Sequence, residues 1–429
     1  MIQNCLEIND NNHLTIGGLD AKELANEYGT PLIVYDEDTI RKNAAAFKNS
    51  ISENYINGSV VYASKAFLCK EICRLMNELD IGLDVVSGGE LYTALQTDFP
   101  SDRLFFHGSN KTQYELEFAM TSNVGTIVVD NMDELVLLNE IAKRHDKKQN
   151  IMFRIKPGVE AHTHEFVSTG RIDSKFGFAL ENKEARAAVE AAISMENLNL
   201  IGLHCHIGSQ IFLTEPFKQA AETLLSFYKH CRDEYKINFT HLNFGGGYGI
   251  KYTENDIPLP FENYMKAIAK TIKNYCSKNG LNEPFVIIEP GRAIVADAAI
   301  TLYEAGTVKE IKNIRNYISV DGGLTDNPRY SLYGSQYTVL NASRMNEPPS
   351  YNATIAGKCC EADTLQENVT LVKPKKGDII AFCCTGAYVY SMASNYNKTP
   401  KPMVIMIKNG KSRVIINRES YEDMAKNDI

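Results

Sequence analysis

Hydrophobic and polar residues alternate along much of the chain in two repeating patterns. Short apolar runs rich in β-branched residues are typical of buried strands, and longer segments with apolar residues every three or four positions are typical of amphipathic helices. The short runs predict strands at 59–63, 82–87, 104–108, 126–130, 151–157, 200–209, 241–245 and 284–290. The longer segments predict helices at 70–79, 89–96, 112–122, 132–144, 184–195, 215–235 and 261–278. Strands and helices that alternate in this way over about 250 residues predict a TIM-type (β/α)8 barrel.

The pattern changes after residue 293. Short apolar runs separated by Gly, Pro and Asn are typical of antiparallel strands, and they occur at 299–308, 316–320, 403–408 and 412–416. Near the N-terminus, 31–35 reads as a strand and 36–51 as a helix, while 5–17 comes too early for the barrel. We therefore expect an α/β fold class in which an N-terminal (β/α)8 barrel spans 36–295. We expect a C-terminal antiparallel β domain to be formed by 1–35 and 296–429.

Composition and charge exclude several classes of protein. The 429 residues contain 53 Asp and Glu against 45 Lys and Arg, a formal net charge of −8. No basic field is available to collect phosphates, so a nucleic-acid or anionic-membrane partner is not expected. The chain lacks an apolar run of membrane-spanning length and a signal-like N-terminus. Its ten cysteines show neither a secreted disulfide framework nor a paired Cys-x-x-Cys spacing, so we expect a cytoplasmic protein with mostly reduced thiols.

In a barrel of this type the chemistry collects at the C-terminal ends of the strands, and unusual residues do follow the predicted strands. Lys65 directly follows the first of them, beside Tyr62, Ala63 and Phe67. A lysine there is expected to be partly desolvated, which suits a nucleophile that forms an imine with a carbonyl compound. The alternative is an ordinary solvated lysine at the end of a strand.

Three consecutive glycines, Gly245, Gly246 and Gly247, follow the seventh predicted strand. Without side chains, their backbone N–H groups can approach a phosphate closely. The alternative is a tight turn that needs positive φ angles.

Polar residues follow the sixth and eighth predicted strands as well. His206 could stack on a flat cofactor or be a hydrogen-bonded core histidine, and Ser209 supplies a hydroxyl group at the same edge. Glu289 ends an apolar strand, where a carboxylate is costly unless it is paired. A protonated ring nitrogen of a cofactor would be such a partner, and Arg292 is the alternative partner.

These candidates are an imine-forming lysine, a phosphate-binding loop, a stacking ring and a buried carboxylate. Together they fit pyridoxal 5'-phosphate better than any other common cofactor. A nicotinamide site would need Gly-x-Gly-x-x-Gly after an early strand, and the sequence has none there. His204 and His206 share one face of a strand, and His162 and His164 have the same spacing in a loop-like stretch. Two histidines do not make a clustered ligand set, so no metal is expected.

Six motifs, spread over nearly the whole chain, resemble those of a known enzyme family. Together they are similar to the fold-type III pyridoxal-phosphate decarboxylases, which act on diaminopimelate, ornithine and arginine, and most of all to the diaminopimelate branch. The motifs are Tyr-Ala-Ser-Lys65-Ala, His206-Ile-Gly-Ser209-Gln210, the glycine triplet, Glu289-Pro-Gly-Arg292, Cys360-Glu361-x-Asp363 and Gly386-Ala-Tyr388. Lys358 and Ala362 stand where the family usually has proline and serine.

The resemblance implies a role for each matching residue around the cofactor. Lys65 would bind it covalently, His206 would stack on its ring and Glu289 would pair its ring nitrogen. The phosphate end and its surroundings would be served by Ser209, the glycine triplet, Gly291 and Arg292, and Tyr388 would close the cofactor pocket.

The resemblance also implies how the substrate is held. Arg292, Arg329 and Tyr333 would bind it together with Tyr388, because two arginines suit a carboxylate. In a head-to-tail homodimer with shared active sites, Cys360 and Glu361 would come from the partner subunit. Cys360 would return a proton to the α-carbon as a general acid, and Glu361 suits an ammonium group at the far end of the substrate.

The expected reaction is therefore the decarboxylation of meso-2,6-diaminopimelate to L-lysine and carbon dioxide, a step of lysine biosynthesis. One alternative is a sister decarboxylase that acts on carboxynorspermidine, ornithine or arginine. Another is a non-catalytic homologue that binds a partner or carries pyridoxal phosphate. Such a homologue would be expected to have lost Lys65, Cys360 or the glycine triplet, and the sequence keeps all of them.

Overall fold

The computed structural model describes residues 3–159 and 173–429. The chain forms two compact units. The barrel unit comprises Ala44–Gly249 and Pro258–Gly291, and the sheet unit comprises Met1–Asn43, Ile250–Ile257 and Arg292–Ile429. The domain boundaries at 36 and 295 stay a prediction.

The N-terminal segment opens with three short antiparallel strands. They are followed by a helix, a fully buried strand and a second helix. The elements are β1 (Leu6–Ile8), β2 (Leu14–Ile16), β3 (Leu19–Asp20), α1 (Ala21–Tyr28), β4 (Leu32–Asp36) and α2 (Glu37–Asn54). The Asp20 carboxylate accepts the N–H groups of Lys22 and Glu23, so it caps the N-terminus of α1.

The barrel unit continues the chain with alternating strands and helices. Its elements are β5 (Gly58–Ala63), α3 (Lys70–Glu78), β6 (Gly82–Val85), α4 (Gly88–Leu95), β7 (Leu104–Phe106), α5 (Gln113–Thr121), β8 (Thr126–Val129), α6 (Met132–Arg144), β9 (Gln149–Lys156), β10 (Phe178–Ala179), α7 (Glu184–Ile193), β11 (Leu198–His204), α8 (Glu215–Tyr235), β12 (His241–Asn243), α9 (Phe261–Asn279) and β13 (Phe285–Ile288).

Parallel pairing closes these strands into a barrel. The neighbours run β5, β6, β7, β8, β9, β11, β12 and β13, and β13 pairs with β5 again. The short strand β10 pairs with β9 and lies outside the closed ring. Each of the eight predicted strands is found within a few residues of its predicted position, and the predicted barrel is confirmed.

Local sequence signals explain where these elements begin. Thr112 and Glu115 form a capping box at the start of α5, and Asn131 caps α6. Inside the barrel, the apolar residues Val61, Val128, Met152 and Ile287 form a buried cluster. Strands buried on both faces need such continuous apolar runs.

The sheet unit contains the remaining elements. They are α10 (Arg292–Val295), β14 (Ala299–Ile311), β15 (Arg315–Val320), α11 (Arg329–Tyr333), β16 (Val339–Asn341), β17 (Tyr351–Ala356), β18 (Thr364–Leu371), β19 (Ile379–Cys383), β20 (Met403–Lys408), β21 (Lys411–Ile416) and α12 (Tyr421–Ala425). One path through the sheet runs β18, β17, β15, β14, β4, β20 and β21, and β19 joins β14 to β16.

Pairing in this sheet is mostly antiparallel, as predicted for the C-terminal β domain. Two pairs are parallel instead, namely β15 with β17 and β4 with β20. The second pair joins strands near opposite ends of the chain, which explains why the pattern of neighbouring runs did not predict it. Among the residues that the structure describes, no helix is long and apolar enough to span a membrane.

Candidate active site

Lys65 lies in a single 3-10 turn, Ser64–Ala66, directly after strand β5. Ser64, Ala66 and Phe67 are buried, but Lys65 is exposed. The expectation that Lys65 is partly desolvated is therefore wrong. The tight turn explains the difference, because successive residues of a 3-10 turn point in directions about 120° apart.

The charge of Lys65 acts on three neighbouring groups of the barrel unit: Asp84 at the end of β6, Glu90 on α4, and His206. Burial raises the pKa of Glu90 to about 7, with Asp84 adding to the shift and Lys65 opposing it. Burial likewise lowers the pKa of His206 well below its usual value, and Lys65 adds to that shift, so its imidazole is neutral. The lysine is thus bordered by titratable side chains, although it was predicted among aromatic and aliphatic ones.

Glu289 directly follows β13 and is 5% exposed. Its Oε1 atom accepts a hydrogen bond from Asn243 Nδ2 at 2.6 Å and lies 2.8 Å from His107 Nε2. Its Oε2 atom lies 3.3 Å from His204 Nε2. Burial disfavours a charge there, but His107 and His204 outweigh burial and hold the pKa of Glu289 well below its usual range. A buried carboxylate is therefore kept ionised at the centre of the barrel mouth.

Sequence reasoning missed these three partners of Glu289. The sequence indicates a cofactor ring nitrogen or Arg292 as the partner of Glu289, and it pairs His204 with His206. The position of the three partners in the sequence could have indicated them, because His204 and Asn243 end barrel strands and His107 directly follows one. His162 and His164, the other histidine pair, lie outside the described residues.

The glycine triplet lies against the loop that carries His206. Gly246 N–H donates to His206 Nδ1 at 3.3 Å, and the Ile211 N–H donates to the Gly247 carbonyl at 2.9 Å. A Cβ on Gly246 would lie 2.2 Å from the Glu289 carbonyl oxygen, and Gly247 has a φ of +109°. Close backbone packing and a positive φ therefore already require glycine at these positions.

The remaining predicted cofactor residues of the barrel unit lie beside these loops. Ser209 is half-buried in the loop that follows β11. Gly291 packs against the turn that carries Lys65, since a Cβ there would lie 2.9 Å from the Ala63 Cβ and 3.2 Å from the Ala66 Cβ. A side chain at Gly291 would displace that turn.

In the sheet unit, two arginines converge on the same tyrosines. The guanidinium of Arg292 lies 4.7 Å from the Tyr388 ring, and its Nη1 donates to Tyr252 Oη at 2.7 Å. The guanidinium of Arg329 lies 5.6 Å from the Tyr388 ring, 5.9 Å from Tyr333 and 6.0 Å from Tyr252. The structure thus brings together Arg292, Arg329, Tyr333 and Tyr388. Sequence reasoning missed Tyr252, which belongs to none of the motifs.

Arg329 retains hydrogen-bonding capacity toward a ligand. The residue is 6% exposed, and its Nη2 donates to Ser335 Oγ at 3.1 Å. Within the described part of the chain, its buried Nε has no hydrogen-bond partner. A buried guanidinium donor without a partner is costly, and a carboxylate is the group that its planar fork binds best.

Cys360 and Glu361 lie on an exposed loop of the sheet unit. Glu361 accepts a hydrogen bond from Tyr396 Oη at 2.7 Å, and the Cys360 N–H donates to Asn397 Oδ1 at 2.9 Å. Cys359 is buried, and burial together with Asp363 raises the pKa of its thiol. The exposed thiol of the pair is therefore Cys360.

These groups fit pyridoxal phosphate. The buried, ionised Glu289 suits a protonated ring nitrogen, and the neutral imidazole of His206 offers a flat face. The packed glycine loop leaves no side chain in the way of a phosphate, and Lys65 supplies an accessible amine.

Comparison with known proteins agrees with this fit. Residues 37–296 match the model of the pyridoxal binding domain of the pyridoxal-dependent decarboxylases. The chain is 46% identical over 422 residues to diaminopimelate decarboxylase of Bacillus subtilis (strain 168), covering 98% of this chain and 96% of that protein. It is 44% identical over 425 residues to the diaminopimelate decarboxylase of Staphylococcus aureus (strain COL), covering 99% of both.

A solved structure extends the likeness to three dimensions. Diaminopimelate decarboxylase of M. jannaschii, in complex with L-lysine, has a TM-score of 0.93 and 34% identity and covers 100% of this chain and 98% of its own. The chain therefore belongs to the pyridoxal-dependent decarboxylases and, within them, to the diaminopimelate decarboxylase family.

Proposed function

We propose that this protein decarboxylates meso-2,6-diaminopimelate to L-lysine and carbon dioxide, with pyridoxal phosphate as cofactor. The observation that carries the choice of substrate is the pair of buried arginines, Arg292 and Arg329, on the rings of Tyr252 and Tyr388. They suit the far carboxylate of diaminopimelate. Ornithine has no second carboxylate, so it would supply no acceptor for the buried Nε of Arg329, and a polar site discriminates strongly against such a substrate.

The barrel unit supplies the residues proposed to act on the cofactor. When bound, pyridoxal phosphate accepts the electron pair that remains on the substrate as carbon dioxide leaves. Lys65 would hold the cofactor covalently through its side-chain amine. Glu289 would hold a proton at the ring nitrogen, and His206 would stack on the ring.

The phosphate end is proposed to lie against the loop of Gly245, Gly246 and Gly247, where the lack of side chains lets it approach the backbone closely. Ser209, Gly291 and Arg292 complete its surroundings, and Tyr388 closes the cofactor pocket.

Cys360 is proposed to return a proton to the α-carbon after decarboxylation, and Glu361 to bind the far ammonium group of the substrate. A general acid must carry its proton at the working pH. Arg329 and Tyr333 fix the far carboxylate so that this proton reaches one carbon only.

A panel of amino acids tests the proposed reaction. Purified protein with pyridoxal phosphate is mixed separately with meso-diaminopimelate, ornithine, arginine and carboxynorspermidine, and the products are identified by mass spectrometry. Lysine and carbon dioxide from meso-diaminopimelate alone support the proposal, and Lys65→Ala serves as the inactive control. Turnover of another substrate instead would move the assignment to a sister decarboxylase. Cofactor binding without turnover of the four compounds would favour a carrier or binding protein.

We further propose a homodimer with shared active sites, supported by the exposure of Cys360 and Glu361 on one loop. The mass in solution, from sedimentation equilibrium, tests the assembly. Mixing Lys65→Ala with Cys360→Ala subunits tests the sharing. If each site takes Cys360 from the partner, mixed dimers regain one intact site and the mixture reaches about a quarter of the wild-type activity. No recovery in a confirmed, exchanging dimer would place both residues of each site on one chain.

We propose a cytoplasmic location because all ten cysteines are free. Unpaired thiols in this number fit a reducing compartment. Cell fractionation followed by thiol labelling of the denatured protein tests the location, and disulfide-bonded protein outside the cytoplasm would contradict it.

A further inference from the structure

We propose that His107 and His204 are positioning residues for Glu289, which they hold, together with Asn243, in the orientation that meets the ring nitrogen of the cofactor. The inference rests on the proposed role of Glu289 in binding pyridoxal phosphate. It assigns a task to side chains that the six sequence motifs leave without one.

Geometry is the first argument. The three side chains come from three different strand ends, since His107 follows β7, His204 ends β11 and Asn243 ends β12. They lie 2.8, 3.3 and 2.6 Å from the oxygens of Glu289, respectively. His107 and Asn243 approach Oε1 while His204 approaches Oε2, so rotation of the carboxylate would change both sets of contacts. A carboxylate held at both oxygens has one preferred orientation.

Burial is the second argument. His107, His204 and Asn243 are 4%, 1% and 0% exposed. In the described part of the chain, neither ring nitrogen of His204 has a hydrogen-bond partner that would give the ring another task. The two imidazoles pack edge to face with their centroids 4.7 Å apart. A polar ring at this depth costs free energy unless it serves a partner, and the polar group that His204 faces is Glu289.

Asn243 extends the arrangement to the other end of the cofactor site. Its Nδ2 donates to Glu289, and its Oδ1 accepts the N–H of Gly245 at 2.9 Å. One amide therefore ties the carboxylate proposed for the ring nitrogen to the first glycine of the loop proposed for the phosphate. A single side chain therefore contacts both of these proposed anchors.

The charges around Glu289 agree with an ionised carboxylate. Besides the two histidines, the groups that act on it are Asp84 on β6, Arg154 on β9, and Cys205, His206 and Tyr248 on or near the loops after β11 and β12. Burial raises the pKa of both the Cys205 thiol and the Tyr248 hydroxyl, so both are neutral. Burial lowers the pKa of His204 to about 3, so this ring is neutral, and the tautomer with its proton on Nε2 would direct that N–H toward Glu289. The permanent positive charge that acts on Glu289 is that of Arg154.

Paired substitutions in the full-length protein test the inference. His107→Leu and His204→Leu remove the ring nitrogens, whereas His107→Gln and His204→Gln keep an amide N–H at a similar distance. The readouts are the dissociation constant of pyridoxal phosphate and the visible absorption of the bound cofactor against pH. With meso-diaminopimelate, kcat and KM are measured separately. His145→Leu is the control. His145 directly follows α6, and its Nε2 lies 2.8 Å from the Glu117 carboxylate on α5, away from Glu289.

We expect the leucine variants to bind the cofactor on the order of 10- to 100-fold more weakly and to lose the protonated form of its ring at lower pH. The kcat should fall while KM changes little, since the arginines that bind the far carboxylate are untouched. The glutamine variants should recover most of the affinity. Leucine variants with wild-type affinity and spectra would overturn the inference, as would glutamine variants that lose affinity and thermal stability to the same extent as leucine.

Where a leucine variant does not fold, Asn243→Asp provides the second test. This substitution places an acceptor oxygen against the Glu289 carboxylate. It should weaken the binding of pyridoxal phosphate by a factor similar to that of the leucine variants. An unchanged dissociation constant would overturn the inference. Wild-type protein that binds the cofactor but leaves meso-diaminopimelate unchanged would defeat the proposed substrate only. The comparison of cofactor affinities would still decide the role of the histidines.

Discussion

The carboxylate of Asp363 accepts the backbone N–H of Cys359, the residue directly before Cys360, at 2.9 Å. Its other oxygen accepts the Leu324 N–H at 2.7 Å. Room for this carboxylate exists because residue 357 is glycine, since a Cβ there would lie 2.2 Å from Asp363 Oδ2. A single side chain thus ties the loop of Cys360 to the segment that leads to Arg329.

Asp363→Ala should therefore loosen the Cys360 loop without touching the barrel unit. We expect kcat to fall on the order of 10- to 100-fold, because the proton donor loses its fixed position, while the dissociation constant of pyridoxal phosphate stays the same. Asp363→Asn keeps one acceptor oxygen and should lose less activity. Steady-state kinetics and cofactor titration check the prediction, and an unchanged kcat in the alanine variant would separate this loop from catalysis.

Cys360→Ala should leave cofactor binding intact and slow turnover, since loss of a general acid typically costs 10²- to 10⁴-fold. Cys359→Ala is the matched control, because this neighbouring thiol is buried and its Sγ lies 3.9 Å from Thr325 Oγ1. We expect the control to retain most of its turnover. If cofactor is lost from Cys360→Ala, the residue has a structural role and another group must supply the proton.

Lys65→Ala should abolish covalent attachment of the cofactor and lower turnover by several orders of magnitude, because it removes the nucleophile. Borohydride reduction followed by intact-mass measurement detects the attachment directly. Lys70→Ala is the control, since Lys70 is an exposed lysine at the start of the next helix. Normal turnover in Lys65→Ala, or attachment that persists in it, would refute the assignment.

The barrel could be predicted from the sequence because each of its strands is a short apolar run flanked by its own helix. The sheet unit was harder, since β4 pairs with β20 across most of the length of the chain. Local patterns carry no information on such a pairing. They indicated that strands were present there but not which of them are neighbours.

The active-site residues likewise fall into those that local sequence patterns predict and those that only the folded barrel brings together. Lys65, the glycine triplet and Glu289 were found because motifs and strand ends mark them. His107, His204 and Asn243 were not found, because their convergence on Glu289 exists only once the barrel has closed. The exposure of the Lys65 side chain depends on the direction in which the 3-10 turn orients it. The identity of the neighbouring residues does not determine that direction.

Lys111, in the loop after β7, and Glu134, in the first turn of α6, form a buried ion pair. Lys111 Nζ donates to Glu134 Oε1 at 2.7 Å and to the carbonyls of Gly108 and Val128, both at 2.8 Å. Glu134→Leu would leave a buried ammonium without its counter-ion, so we expect a loss of about 3–5 kcal/mol in the free energy of unfolding. Lys111→Met combined with Glu134→Leu should recover much of it. Chemical denaturation measures both, and a double variant no more stable than the single variant would contradict the ion-pair explanation.

Glu37 provides a prediction for pH. Its side chain is 2% exposed and accepts hydrogen bonds from Arg41, Lys408 and Arg413. Burial alone would raise the pKa of Glu37, but the three cations outweigh it and lower the pKa to about 2, from an ordinary value of 4.5. Because the folded-state pKa is the lower one, the ionised carboxylate stabilises the fold. This contribution is fully present above about pH 5 and is lost as the pH falls toward 2.

A shift of this size corresponds to roughly 3 kcal/mol at neutral pH. Glu37→Gln should therefore be less stable than the wild type at pH 6, and the difference between the two should shrink as the pH falls from 5 to 3. Urea unfolding midpoints at each pH check this. Glu310→Gln is the control, because Glu310 pairs with Lys373 on the surface, where solvent screens the pair. A difference between wild type and Glu37→Gln that stays constant down to pH 3 would mean that the carboxylate keeps an ordinary pKa, and the three cations would then stabilise the fold by packing rather than by charge.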